Sequence, residues 1–194
     1  MSIRLCGDAI LVVRLSLSLQ EFPALLARHR VSDPSTDEVE RLAAKYVADG
    51  FPARLTKEFV TRVCHWGNYD GIRGKVFLHN SLDCVRHAFR KGYDELQAGN
   101  PAQAIREVTE IHGLGISFAS KHLKFLDPKR AVVLDSIISG RLGYPLSPAG
   151  YAELVEDCAT IREMLNSRKV VPLSGPKTWR ISDVEMAIFK YLFP

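Results

Sequence analysis

The stretch IHGLGISFASK, residues 111–121, places two glycines around one leucine between two segments of helical pattern. Upstream, Pro101 follows Asn100 as a first helical residue, and Ile105, Val108 and Ile111 recur on one side. Downstream, Phe118, Ala119, His122 and Leu126 recur at helical spacing. A helix, a turn of Gly113, Leu114 and Gly115, and a second helix bring backbone N–H groups to the surface with no side chain in the way. The second helix begins near Ile116, so its free N–H groups and the positive end of its dipole face any phosphate lodged there. Lys121, His122, Lys124, Lys129 and Arg130 add cationic or polar groups able to follow a nucleic-acid backbone. The same glycines are also compatible with a plain helix stop followed by a turn.

Helical pattern extends through most of the chain. STDEVERLAAKYVADG opens at 35 and ends at Gly50, and TKEFVTRVCHWG runs from Thr56 to Gly67. NYDGIRGK, 68–75, reads as a loop because Gly71 and Gly74 flank polar residues. SLDCVRHAFRKGYDEL starts at Ser81 and weakens at Gly92. After the glycine turn, DPKR at 127–130 is a turn and AVVLD an extended connector. Asp135 then precedes the short helix SIISGRLGY. Ser147 and Pro148 open a long helix, and TWRISDVEMAIFKYLF closes the chain with Val184, Ala187, Ile188, Tyr191 and Leu192 on a docking face. Residues 1–34 are compatible with strand or helix. The fold class expected is all-α.

With 194 residues, 46% hydrophobic and 25% charged, the chain buries a core without staples. The net charge of +4 permits an anionic partner without establishing one. Cys6, Cys64, Cys84 and Cys158 form no CxxC pair and have no histidine at metal-ligand spacing, so they read as reduced and mostly buried, and no metal or cofactor is expected. The apolar run at 9–19 is interrupted by Arg14 and is shorter than the about 20 residues a membrane span needs. A cytoplasmic protein with no membrane partner is the expectation. His29, His65, His79 and His87 suggest no catalytic or metal set and read as structural or surface residues.

The segment from IHGLGISFASK through LDPKRAVVLD resembles the helix-hairpin-helix DNA glycosylases, most closely the 8-oxoguanine glycosylase branch and its small bacterial type. The resemblance is specific over residues 105–144, with 20 residues from Gly115 to Asp135. It implies a two-lobed helical unit over 1–194, without the extra N-terminal sheet domain of larger 8-oxoguanine enzymes. It implies Gly113, Leu114 and Gly115 as the hairpin and Asp135 as the catalytic aspartate; of the basic groups near the turn, Lys124 and Arg130 are taken as the further DNA contacts. The activity implied is release of a damaged or modified base from double-stranded DNA by a monomer, an oxidised purine such as 8-oxoguanine being favoured. Asp135 also reads as a cap for the helix after it, and both roles hold together. Members that also cut the backbone carry a lysine two residues after the second glycine, where this sequence has Ser117. Lys121 lies one helical turn on, about 6 Å along the axis, as a phosphate contact or an amine near the sugar. Hydrolysis by water is therefore favoured over a Schiff base, with lyase activity left open.

A flipped base needs an aromatic slot with a few polar groups. Trp66, Asn68, Tyr69 and Arg73 in the 65–75 segment, and Trp179 and Asp183 at the start of the last helix, are the candidates. Trp66 also fits a core position, and Asp183 a first-turn carboxylate. Two other functions remain open. One is a glycosylase removing a bulky modified pyrimidine from phage DNA; the other is a non-catalytic helix-hairpin-helix DNA-binding module.

Overall fold

Alternation of apolar and polar residues every three to four positions leaves each helix one stripe to bury, and the chain solves this by wrapping its helices around one that is buried on every side. The computed structural model describes the backbone of residues 3–6, 9–12 and 15–194, with side chains from residue 16 onward. Its class is all-α. The helices are α1 (Phe22–Ser32), α2 (Ser35–Ala48), α3 (Ala53–Trp66), α4 (Gly71–His79), α5 (Leu82–Gln97), α6 (Pro101–Thr109), α7 (Ile116–Leu126), α8 (Ser136–Leu142), α9 (Pro148–Ser167) and α10 (Ile181–Leu192).

The ambiguous N-terminal region contains both kinds of element. Strands β1 (Ile3–Cys6), β2 (Ala9–Val12) and β3 (Leu15–Ser18) form an antiparallel meander in the order β1-β2-β3, with Ile3 opposite Val12 and Val12 opposite Leu15. A single 3-10 turn, Leu19–Glu21, then leads into α1. Ser18 and Glu21 close a reciprocal capping box there, so two backbone donors are satisfied where strand becomes helix. Tyr191 at the end of α10 donates its hydroxyl to the Ser16 carbonyl. The side chain of Cys6 lies outside the described residues.

Helix α7 occupies the centre, against α2, α3, α5 and α6. Every residue from Ala119 to Leu126 is buried. His122 is stacked on Phe89 and meets Phe59 edge-on, its Nδ1 2.6 Å from the Phe118 carbonyl oxygen. The aromatic group Tyr46, Phe51, Phe59 and Phe89 continues this core towards α2 and α5. Helix α10 packs between α1 and α9, and Val184, Ala187 and Ile188 are buried as the docking face requires, with Tyr191 and Leu192 partly so. Among the cysteines, Cys64 and Cys158 are free and buried and Cys84 is free and exposed.

Two local expectations are corrected. Residues 71–75 do not belong to a loop: they form the first part of α4, because Ile72, Val76 and Phe77 find apolar partners in the core and a helix is the geometry that presents them together. Helix α5 does not weaken at Gly92. It continues to Gln97, and the glycine marks the crossing with α6, where a Cβ would lie 2.6 Å from Val108 Cγ2 and 3.2 Å from the Ala104 carbonyl oxygen.

These two helical glycines predict opposite responses to one methyl group. Gly92→Ala overpacks the α5–α6 crossing and lowers stability by about 1–3 kcal/mol despite the gain in helix propensity. Gly74→Ala meets nothing within 4 Å and raises stability by about 0.5–1 kcal/mol. Urea midpoints of the two variants against the parent chain measure both signs.

Candidate functional site

The glycine turn has a left-handed backbone held in place from outside. Gly113 has φ +99°, in the region that side chains rarely adopt, and a Cβ on it would sit 3.1 Å from Lys75 Cβ and 3.4 Å from the Val76 nitrogen of α4. Leu114 is buried and anchors the turn, its N–H bonded to the Ile111 carbonyl at 2.9 Å. Asn80 grips the neighbouring backbone at both ends. Its amide donates to the His112 carbonyl and its oxygen accepts from the His112 N–H, each at 3.0 Å. Gly115 is the N-cap of α7 and supplies no side-chain cap, so the start of that helix is bare.

From this start α7 carries Ser117 and Lys121 one turn apart, and the connector 131–135 brings Asp135 to them. The Ser120 hydroxyl fixes the connector's position: it accepts from the buried Leu134 N–H at 3.0 Å and lies 3.2 Å from the Leu134 oxygen. One residue further on, Asp135 Oδ1 accepts the N–H groups of Ile137 and Ile138 at 3.0 and 3.1 Å, capping α8 as expected. Its second oxygen, Oδ2, accepts from Lys121 Nζ at 3.1 Å. That ammonium is also 3.4 Å from Ser117 Oγ and 5.0 Å from the Phe118 ring centre. The three candidate catalytic residues are thus one cluster, in which the lysine and aspartate side chains are only 9% and 14% exposed.

Lys121 and Asp135 lie on the wall of a cavity of about 600 Å³. The end of α3 and the turn after it contribute Trp66, Gly67 and Asn68. Helix α1 contributes His29, and α10 contributes Glu185, Met186 and Phe189. Trp66 is half-buried, its indole N–H donated to Thr36 Oγ1 at 3.0 Å. Asn68 has φ +56°, a conformation asparagine tolerates better than most residues, and this bends the chain round the cavity mouth.

Other expected site residues lie elsewhere, and three of them are corrected outright. Lys124 is not a DNA contact, being 0% exposed with its ammonium over the Trp66 and Phe125 rings at 4.5 and 4.2 Å. Trp179 is not a pocket residue. It is buried against Phe22, and its indole N–H is donated to the Val170 carbonyl at 2.7 Å. Asp183 is 0% exposed and paired with Arg180 at 2.7 Å and Arg30 at 3.2 Å, in a network that also ties Arg180 to Glu40. Tyr69 is exposed at the edge of Phe118 but does not line the cavity. Arg73 is exposed in a separate groove with Arg54, Lys57 and Arg62. Arg130, exposed and paired with Asp127 at 3.0 Å, borders another groove near α9. His122, expected near a backbone phosphate, is fully buried in the aromatic core.

Sequence reading missed His29 and Glu185. Glu185 is a lone carboxylate within the apolar run VEMAIF, and that mismatch was the available signal. Burial pushes its carboxyl up to about 7 while the Lys124 ammonium pulls against that shift, and burial lowers the Lys124 ammonium in turn. His29 and His122 are both pushed down to about 4, chiefly by burial. Among the described residues no group of three or more His, Cys, Asp or Glu side chains is placed to hold a metal, and no helix is long and apolar enough to cross a membrane. A scan against protein-family models, a search of curated proteins and a search of solved structures each return no match.

Two outcomes follow from these side chains. The unfolded chain takes up protons near pH 6.5 that His29 and His122 refuse in the native state until about pH 4. Stability therefore falls as pH is lowered through that window, by about 3 kcal/mol per imidazole, with Glu185, shifted upward, offsetting part of the loss. Urea midpoints across the window give the slope, and imidazole NMR shifts show whether both rings stay neutral down to pH 5. Ser120→Ala leaves the Leu134 N–H buried without its acceptor, costing about 1–3 kcal/mol, and speeds hydrogen exchange at that amide.

Proposed function

We propose that this chain is a DNA N-glycosylase of the helix-hairpin-helix type, acting on double-stranded DNA that carries a damaged or modified base, with an 8-oxoguanine-like purine favoured. The observation that carries the reading is the meeting of Asp135 and Lys121 on the wall of one cavity, both positioned by the helix that starts at the glycine hairpin. A cavity of this volume suits a small planar group with most of its surface enclosed. The bare start of α7 and the left-handed Gly113 suit a phosphate held by backbone N–H groups.

In this reading the phosphate grip at the hairpin offsets the cost of unstacking and extruding one nucleotide, whose base enters the cavity. The C1′–N bond breaks with its electron pair leaving on the base, which acquires a proton. The cation developing on the sugar is stabilised by the Asp135 carboxylate, and water adds to C1′ while losing a proton, leaving an abasic site. The α8 amides hold Asp135 Oδ1, so the carboxylate is oriented before substrate arrives. Lys121 holds the other oxygen and neutralises a charge that would otherwise repel phosphate.

Two measurements test this. A panel of duplexes, each bearing one modified base, is incubated with the protein and scored for alkali-labile sites. Release of at least one base is expected. Asp135→Asn should then cut the release rate by about 100-fold or more while keeping or strengthening duplex binding, because a negative charge near phosphate is removed. A panel without any release leaves a DNA-binding module as the better account, and a variant that releases base at the parental rate removes Asp135 from the chemistry. Borohydride treatment of the active duplex decides the role of Lys121. Water attack gives no covalent adduct, whereas an amine attack gives one that Lys121→Gln abolishes.

A further inference from the structure

We propose that His79 and His112 form a proton-linked clamp at the hairpin: a DNA phosphate seated on the turn is held by this imidazole pair in its protonated form, so that binding DNA takes up a proton. This rests on the hairpin's phosphate grip in the glycosylase reading and adds to it two side chains and a dependence on pH.

The pair lies where the hairpin is fastened to α4. Asn80 holds the His112 backbone by two hydrogen bonds of 3.0 Å, and His79, the last residue of α4, directly precedes that asparagine. The two rings therefore come together, with centroids 4.4 Å apart and planes inclined by 56°. One turn earlier on the same face of α4 stands Lys75, its Cβ 3.1 Å from where a Cβ on Gly113 would be. His79, His112 and Lys75 are all exposed, and none has an ion-pair partner among the described residues. Three groups able to carry positive charge thus border the left-handed Gly113 and the bare start of α7.

With both rings protonated, two like charges stand in contact and repel. A phosphate beside them removes that repulsion and accepts charge-assisted bonds from both ring nitrogens, where a neutral ring has one N–H to give. The surrounding elements do little to oppose this. The groove on the far side of Asn80 carries His87 of α5, Glu110 after α6, and Lys91 paired with Glu107 at 3.6 Å. Asp83, near the start of α5, is paired with Arg86 at 3.0 Å, and Arg73 of α4 faces a separate groove. Helix α7 carries no charged side chain before Lys121. Glu110 is thus the one carboxylate near the pair without an ion-pair partner among the described residues.

The test measures binding of a short undamaged duplex at fixed ionic strength. The parent's Kd should fall about 5- to 10-fold from about pH 7.5 to about pH 6, the range in which imidazoles change charge. Calorimetry in two buffers of unlike ionisation enthalpy should show roughly one-half to one proton taken up per complex near neutral pH. The double variant His79→Gln, His112→Gln should bind more weakly at the low end and vary by less than about 2-fold across the range. Lys75→Gln should weaken binding by about 3- to 10-fold at every pH while keeping the parental pH dependence, since its charge does not change there. A parent Kd that is flat with pH, or a pH dependence that the folded double variant keeps, overturns the clamp and leaves the glycosylase reading intact. Should the double variant fail to fold, His79→Gln alone, at the exposed end of α4, has to lose at least about half of the proton uptake. No binding of any duplex at low salt removes the clamp and the glycosylase reading together, whereas the expected pH dependence without base release removes only the latter.

Discussion

A lysine buried inside a helical core has to find a counter-charge or lose its proton, and the need to satisfy Lys121 organises much of this molecule. The carboxylate that reaches its ammonium comes from the chain after α7, which doubles back along that helix. The connector 131–135 does so as an extended segment, buried from Ala131 to Leu134 and pinned by Ser120 through Leu134, and delivers Asp135. The aspartate's other oxygen then starts α8. One ion pair therefore sets the path of the connector, the start of the next helix and the position of the cavity wall.

Lys124, three residues on, presents the same problem and the fold answers it differently. No carboxylate lies within hydrogen-bonding range among the described residues, so the charge is met by two aromatic faces and, at longer range, by Glu185, Glu40 and Asp33. These come from α10, α2 and the α1–α2 link, so the central helix draws distant parts of the chain inward. The Arg180–Asp183–Arg30 network does the same from the outer side, with Glu40 on Arg180 and Asp37 on Arg30. Such pairs add little net stability compared with apolar packing, but leaving one partner unpaired is expensive, which favours a single arrangement of α1, α2 and α10.

What was legible in the sequence was local. The glycine turn, the Ser81, Ser147 and Asp135 caps, and the helical periods of α2, α3, α6 and α9 depend on neighbours a few residues away, and they appear in the fold. Ser117 and Lys121 were legible as neighbours because one helical turn separates them, whereas Asp135 joined them only as what the resemblance implies. What was not legible depends on burial and distant partners. A lysine near a hairpin reads the same whether it faces phosphate or two aromatic rings, so Lys124 was misassigned. Asp183 pairs with Arg30, 153 residues away, and no spacing rule reaches that far. Residues 71–75 read as loop from their glycines, yet α4 gains a face against the hairpin and the core that glycine content does not reveal.

The cavity draws its walls from residues 29–35 near one end of the chain and 185–193 near the other. During synthesis, which proceeds from the N-terminal end, α1 and the hairpin emerge long before α10. The slot therefore remains an open, partly apolar furrow until α10 leaves the ribosome and docks, and contacts this far apart in sequence form slowly. Any nascent chain arrested before α10 would hold the hairpin and Asp135 without the enclosing wall.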